Sequence, residues 1–154
     1  MDALGELRKE HKEVEARLNS LKRTGPKATR QRKKLVKQIT EEMATHLDLE
    51  EQVVFPVAEQ DAQAKDSVLK AQEQHEILKN LLKQMSAMEP QEESFMPKAE
   101  VLSDLFHAHV GEEQRTVFAP IRTALTQQQL EALAERIRQG REALTNPKDY
   151  LRSE

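Results

Sequence analysis

Two pairs of histidines recur along this chain at matched distances, each inside an apolar stripe of helical spacing. His11 precedes His46 by 35 residues, and His75 precedes His109 by 34. His46 leads to Glu50 and Phe55, and His109 leads to Glu113 and Phe118, so all three positions repeat at an offset of 63. The pattern describes a duplicated two-helix unit with an imidazole on its first helix and an imidazole plus a carboxylate on its second. A core assembled from such stripes must accommodate two carboxylates, which limits what it can be built around.

The stripes follow from apolar residues at alternating steps of three and four. A first helix over about 2–23 presents Leu4, Leu7, His11, Val14, Leu18 and Leu21, and Thr24-Gly25-Pro26 ends it. A second over 28–58 presents Val36, Ile39, Met43, His46, Glu50, Val53 and Val57. A third over 65–88 presents Val68, Ala71, His75, Leu78, Leu82 and Met85, and a loop runs from Glu89-Pro90 to Met96-Pro97. A fourth over 98–119 presents Leu102, Phe106, His109, Glu113 and Val117. Thr126 and Gln129 form a capping box that opens a fifth helix, which Asn146-Pro147 closes. Short loops between the first four helices favour antiparallel neighbours. The expected fold is all-α, an up-down-up-down four-helix bundle over residues 1–125 with a C-terminal helix and tail over 126–154.

Counting along the helices, antiparallel packing brings all four histidines near one level, with Glu50 and Glu113 one turn further on. An unpaired buried carboxylate costs several kcal/mol even after relaxation. No lysine or arginine stands on these inward stripes as a counter-ion. Two glutamates facing four imidazoles therefore point to cations between them, and His11, His46, Glu50, His75, His109 and Glu113 are the candidate ligands of a dinuclear metal centre. Imidazole with carboxylate suits iron, manganese or zinc.

Other polar residues read differently. His107 lies 200° round its helix from His109 and belongs on the surface or behind the ligands. Glu51 and Glu112 adjoin the candidate ligands and read as solvated or outer groups. Glu15 is one turn from His11, but its repeat partner is Lys79. Phe55 and Phe118 read as packing that keeps the site dry. Gly111 interrupts the fourth helix at a cost of roughly 1 kcal/mol relative to alanine.

Composition excludes several classes. With no cysteine in 154 residues there are no disulfides, iron–sulfur clusters or thiolate zinc sites. The N-terminal residues are acidic and amphipathic, unlike a signal peptide, and no apolar run approaches the ~20 residues that span a bilayer. A cytoplasmic protein is the expectation. The net charge of −3 gives no general drive toward nucleic acid. One segment stands apart: residues 22–37 carry Lys22, Arg23, Lys27, Arg30, Arg32, Lys33, Lys34 and Lys37 and no acidic side chain. A solvated helix start is the plain reading, and an anionic partner such as nucleic acid or lipid headgroups is the other.

Taken together, these residues resemble the hemerythrin-like family, the HHE cation-binding domain. The resemblance rests on His11-Lys-Glu-Val, His46-Leu-Asp-Leu-Glu50 with Phe55-Pro56, His75-Glu-Ile-Leu, and His109-Val-Gly-Glu-Glu113 with Phe118, and covers about residues 1–125. It implies a four-helix bundle, and it supplies iron as the metal: two iron ions in a non-haem centre, with Glu50 and Glu113 serving both. It implies binding of dioxygen, peroxide or nitric oxide for sensing, scavenging or iron handling, or a peroxidase or NO-detoxifying activity. A third reading is a helical interaction module with a structural metal. Oxygen-carrying hemerythrins have five histidine ligands; here Lys79 stands four residues after His75, and Glu76 and Ala108 stand where many relatives carry a further histidine. The site thus keeps open positions at both metals. No residue stands out as a dedicated proton donor, and Tyr150 lies in the tail.

Overall fold

A computed structural model describes residues 2–144, and every element in it is helical. Helix α1 is Ala3–Lys22, started by Asp2, whose carboxylate accepts from the Gly5 amide. Helix α2 is a composite: Thr29–Leu49 in α geometry, a π turn at Glu50–Val54, and a last α turn at Phe55–Ala58. Helix α3, Ala62–Ala87, opens on Asp61, whose side chain accepts from the Gln63 amide. Helix α4 repeats the pattern of α2, with Phe95–Glu113, a π turn at Gln114–Phe118 and Ala119–Ala124. Helix α5 is Gln127–Leu144, and its capping box forms as the sequence predicts: Gln129 and Thr126 exchange side chain-to-amide bonds of 2.8 and 3.2 Å. The expected stop at Asn146-Pro147 lies outside the described residues.

The π turns are where the structure departs from an uninterrupted helix. In each, an amide reaches back five residues instead of four: Phe55 N–H to Glu50 C=O, and Ala119 N–H to Gln114 C=O. Pro56 and Pro120 follow directly. A proline has no N–H and its ring collides with the carbonyl four residues earlier, and a wider turn relieves both problems. The extra residue also shifts the inward stripe. Val53, Val54, Phe55 and Ala58 are buried, whereas Val57, expected inward, is only half-buried. Helix α4 likewise begins three residues earlier than expected, because Pro97 is tolerated in a first turn.

Helix α1 packs against α2 and α4, and α3 packs against the same two, giving a ring of four. Their directions alternate. Leu4 and Leu7 at the start of α1 share a cluster with Val53–Phe55 near the end of α2, while Leu18 and Leu21 meet Val36 and Ile39 at its start. The apolar core consists of these two clusters, and the layer between them carries the histidines and glutamates. Helix α5 lies across α1 and α2, burying Leu133 and Ile137 in the first cluster. Among the described residues no helix is long and apolar enough to cross a membrane.

One cation does stand on an inward stripe, contrary to the expectation above. Arg32, one turn before Val36, is buried. It lies about 20 Å along α2 from His46 at ~1.5 Å per residue, too far to neutralise either glutamate. Its Nε donates to Thr24 Oγ1, its two terminal nitrogens donate to the carbonyls of Pro90 and Thr24, and its guanidinium lies 4.8 Å from the centre of the Phe95 ring. One basic residue of the 22–37 segment is thus a clamp joining two loops at one end of the bundle. Arg32→Ala should destabilise the fold by about 2–4 kcal/mol through lost charged hydrogen bonds and orphaned carbonyls, lowering the melting temperature equally with and without metal. Arg32→Lys should recover little, because an ammonium cannot reach three separated acceptors.

Candidate metal centre

His11, His46, His75, His109, Glu50 and Glu113, one or two from each bundle helix, are all almost completely buried. The bundle brings all six to one point. Every imidazole turns Nε2 inward, and the Nε2 atoms of His11 and His46 approach to 2.6 Å, those of His75 and His109 to 3.1 Å. Around them lie the carboxylates. Glu50 Oε1 is 3.6 Å from His46 Nε2 and 3.4 Å from His75 Nε2, and Glu50 Oε2 is 3.9 Å from His11 Nε2. Glu113 Oε2 is 3.1 Å from His109 Nε2 and 3.8 Å from His75 Nε2, and Glu113 Oε1 is 3.4 Å from His11 Nε2.

Two overlapping groups result. His11, His46, Glu50 and Glu113 form one, and Glu50, His75, His109 and Glu113 the other; within each, one donor atom per residue lies within 4.8 Å of all the rest. All four glutamate oxygens are buried without a hydrogen-bond partner. Such oxygens are expensive unless a cation faces them. Neighbouring ligands about 2.1 Å from a common ion sit on the order of 3 Å apart, close to these separations. The donor set and its spacing fit a metal ion in each group.

Behind the inward face is a ring of supports. Glu10 Oε2 accepts from His46 Nδ1 at 3.2 Å, Glu51 Oε2 accepts from His75 Nδ1 at 3.0 Å, and Gln74 Oε1 accepts from His109 Nδ1 at 2.6 Å. The outer ring nitrogen of a ligand histidine is normally held this way, which fixes its orientation and raises its basicity. The supports are themselves held. Lys79 pairs with Glu51 at 2.8 Å and Asp48 at 3.0 Å, Gln74 donates to Glu112, and Arg141 of α5 pairs with Glu10. His11 Nδ1 alone of the four makes no hydrogen bond.

Aromatic rings close the sides. Phe118 stacks on His11 with ring centres 6.1 Å apart, and Phe55 leans on His75 at 5.2 Å. Phe55 directly follows the first π turn and Phe118 closes the second, so each leaves its widened turn facing an imidazole of a neighbouring helix. His107 is on the surface, bonded to Glu15 at 2.9 Å and turned away from the six. An added Cβ at Gly111 would make only an ordinary 3.4 Å contact with Arg115, so the glycine relieves no crowding there.

The sequence left Glu51 and Glu112 as solvated or outer groups, and the structure puts Glu51 on His75 and Glu112 on Gln74; Glu10 and Gln74 were missed. The signal was in the repeat: each directly precedes the first-helix histidine of its half, in Glu10-His11 and Gln74-His75. A residue adjoining an inward one sits 100° round the helix and reads as a flank position. In an antiparallel pair that flank faces the partner's histidine.

The family described as the Hemerythrin HHE cation binding domain matches residues 2–121. The chain belongs to that family. Its fold is similar to the crystal structure of an HHE cation-binding domain-containing protein from Mycobacterium kansasii, with a TM-score of 0.78 and 20% identity over 100% of this chain and 99% of that one. It is also 33% identical over 97 residues, 63% of its length, to a DNA nickase from Nostoc sp., of which the match covers 27%.

The electrostatics set what happens without metal. Burial alone lowers the His46 pKa, but Glu50, with Glu10, overrides it and raises the imidazole to about 10. Burial opposes the charge on His75 too, and Glu113, Glu50 and Glu51 raise it to about 11. Burial pushes the Glu113 carboxyl up, yet its contacts with Glu50 and with His109, His11 and His75 hold it well below the usual carboxylate range. In the metal-free protein, then, protonated imidazoles are the counter-ions that metal must displace. The raised histidines contribute stability that is fully present below about pH 6.5, falls above it and is gone once pH passes 10–11. The depressed Glu113 contributes stability present above its ordinary pKa and lost as pH falls through the lowered one. Chelator-treated protein should therefore melt highest near pH 5–6.5 and progressively lower toward pH 10. Added metal should move the optimum to higher pH and release protons on binding at pH 7, measurable in a weakly buffered titration. A flat melting profile would show that the imidazoles carry no such charge.

Proposed function

We propose that this protein holds a non-haem di-iron centre and takes a small ligand there, dioxygen, peroxide or nitric oxide, for sensing, scavenging or iron handling in the cytoplasm. Residues 1–125 are the cation-binding bundle and 126–154 an appended helix and tail. His11 and His46 bind one metal, His75 and His109 the other, and Glu50 and Glu113 serve both. The observation that carries the reading is the pair of buried glutamates whose four oxygens have no hydrogen-bond partner and face four inward Nε2 atoms. Family membership supports metal as the occupant and iron as its identity, while manganese and zinc suit the same donors.

With four protein donors to each metal, six-coordinate iron keeps open positions for an external ligand. Bound iron would supply those positions together with one-electron redox chemistry. The chain's own contribution is to fix the imidazoles from behind, hold two carboxylates in a dry layer and exclude bulk water with Phe55 and Phe118. Lys79, where the oxygen carriers have a further histidine, is tied to Glu51 and Asp48 and braces a ligand from outside. That favours sensing or scavenging over oxygen carriage. Peroxide or nitric oxide turnover is the enzymatic form of the same reading, assayed directly on iron-loaded protein.

A second reading has its own support. The similarity to a DNA nickase and the exposed basic side chains of residues 22–37 make nucleic acid a partner to test. Binding that weakens steeply with salt, and that is lost when Lys33, Lys34 and Lys37 are neutralised together, would establish it. The overall negative charge works against it.

Reconstituted protein should contain close to two metal ions per chain, with an absorption spectrum that changes between air and nitric oxide. Glu113→Ala should lower occupancy at both half-sites, whereas His75→Ala should mainly empty one. Fewer than about half an ion per chain after anaerobic iron loading would end the dinuclear reading. Coincident melting curves for metal-free and loaded protein would do the same, since a ligand at a thousandfold excess over Kd adds about 4 kcal/mol to the native state.

A further inference from the structure

The supports behind the four imidazoles do not follow the duplication. Behind His75 and His109 they are complete and come from the bundle itself: Glu51, held by Lys79, and Gln74, bonded to Glu112. Behind His11 and His46 they are not. His11 Nδ1 makes no hydrogen bond, and His46 Nδ1 rests on Glu10, whose other oxygen is paired with Arg141. Arg141 belongs to α5, outside the ring of four. The repeat equivalent of Glu51 is Gln114 and that of Lys79 is Glu15, which turns to His107 instead. The symmetry is broken where the first half-site needs its support.

The neighbouring residue fixes where Arg141 stands. A Cβ at Gly140 would lie 3.0 Å from Leu49 Cδ2 and 3.5 Å from Val53 Cγ2. These side chains flank Glu50 on the turn of α2 that carries it. Helix α5 thus rests its backbone on the ligand-bearing turn and reaches past it to Glu10. Outer-shell partners of this kind change metal affinity by about 10–100-fold when removed.

We propose that Arg141 is a positioning residue for the His11/His46 half of the centre. By holding Glu10 against His46 it sets how tightly that half retains its ion, so the two metals are unequally held and the fifth helix determines the difference. The proposal rests on the dinuclear reading above. Its occupant is a divalent transition-metal ion, and its effect is on retention, whatever ligand the loaded centre takes.

The test is release of ferrous iron from the full-length loaded protein to a colorimetric chelator under anaerobic conditions, alongside melting of the metal-free form. Wild type should release two ions in two resolved phases. Arg141→Gln should speed the faster phase about 10–100-fold and leave the slower one and the metal-free melting temperature nearly unchanged. Gly140→Leu, which lifts α5 from Leu49 and Val53, should act in the same direction, and Arg141→Lys should restore part of the retention. Lys79→Gln should do the opposite and speed the slower phase. Arg138→Gln, at an exposed position on the same helix, should alter neither. Equal acceleration of both phases in Arg141→Gln, or no change in either, would overturn the proposal while leaving two bound ions intact. Fewer than two ions in wild type would overturn the dinuclear reading first and this proposal with it.

Discussion

Two carboxylates with no hydrogen bonds, placed between two apolar clusters, are the constraint that organises this molecule. Glu50 and Glu113 are stable there only if positive charge lies within a few ångströms, and the six converging side chains leave two sources for it. One is protons on the imidazoles, the other is metal. Because the same nitrogens would serve both, a metal bound there would displace protons in the same event. The bundle need not be assembled by its ions, since it carries its own provisional counter-charge, but the charge state of its core depends on whether they are there. Loss of metal would thereby be linked to pH through the imidazoles and the carboxylates that face them.

The histidines and glutamates were legible from sequence because a buried polar residue at helical spacing violates expectation, and a repeated violation at a fixed offset is hard to attribute to chance. The helices were legible for the same reason, as stripes. What was not legible has particular causes. The π turns come from Pro56 and Pro120, whose effect depends on how the preceding carbonyls are accommodated; a periodicity of 3.6 runs straight through them and misplaces Val57. Glu10 and Gln74 act across a helix–helix contact, at positions that look like flank. Arg32 looks like one more charge in a basic run, and only the approach of two loops at Thr24 and Pro90 makes it a clamp.

The outer ring gives the centre its individuality. The six inward residues are nearly symmetric between the two halves, and nothing in them distinguishes one group of donors from the other. Behind them the halves differ: a lysine-held carboxylate and an amide on one side, an arginine-held carboxylate and a bare imidazole nitrogen on the other. Duplication can copy the ligands of a site while its supports diverge. Lys79 illustrates this, standing four residues past His75 and serving as scaffold for a neighbour.

The two π turns carry a consequence for how this chain can change length. Each inserts one residue beyond α-helical register between a glutamate and a phenylalanine that packs on an imidazole. Deleting a single residue within 51–54 or 114–117 would let the helix close to ordinary α geometry, leaving His46 and Glu50, or His109 and Glu113, where they are. Everything downstream would rotate by about 100°, carrying Phe55 or Phe118 off its histidine and turning the proline back toward a carbonyl. Substitution in these segments alters one contact; a one-residue deletion unscrews an entire wall of the site. The spacing from glutamate to phenylalanine is therefore a counted quantity, as binding on this chain as the identity of either residue.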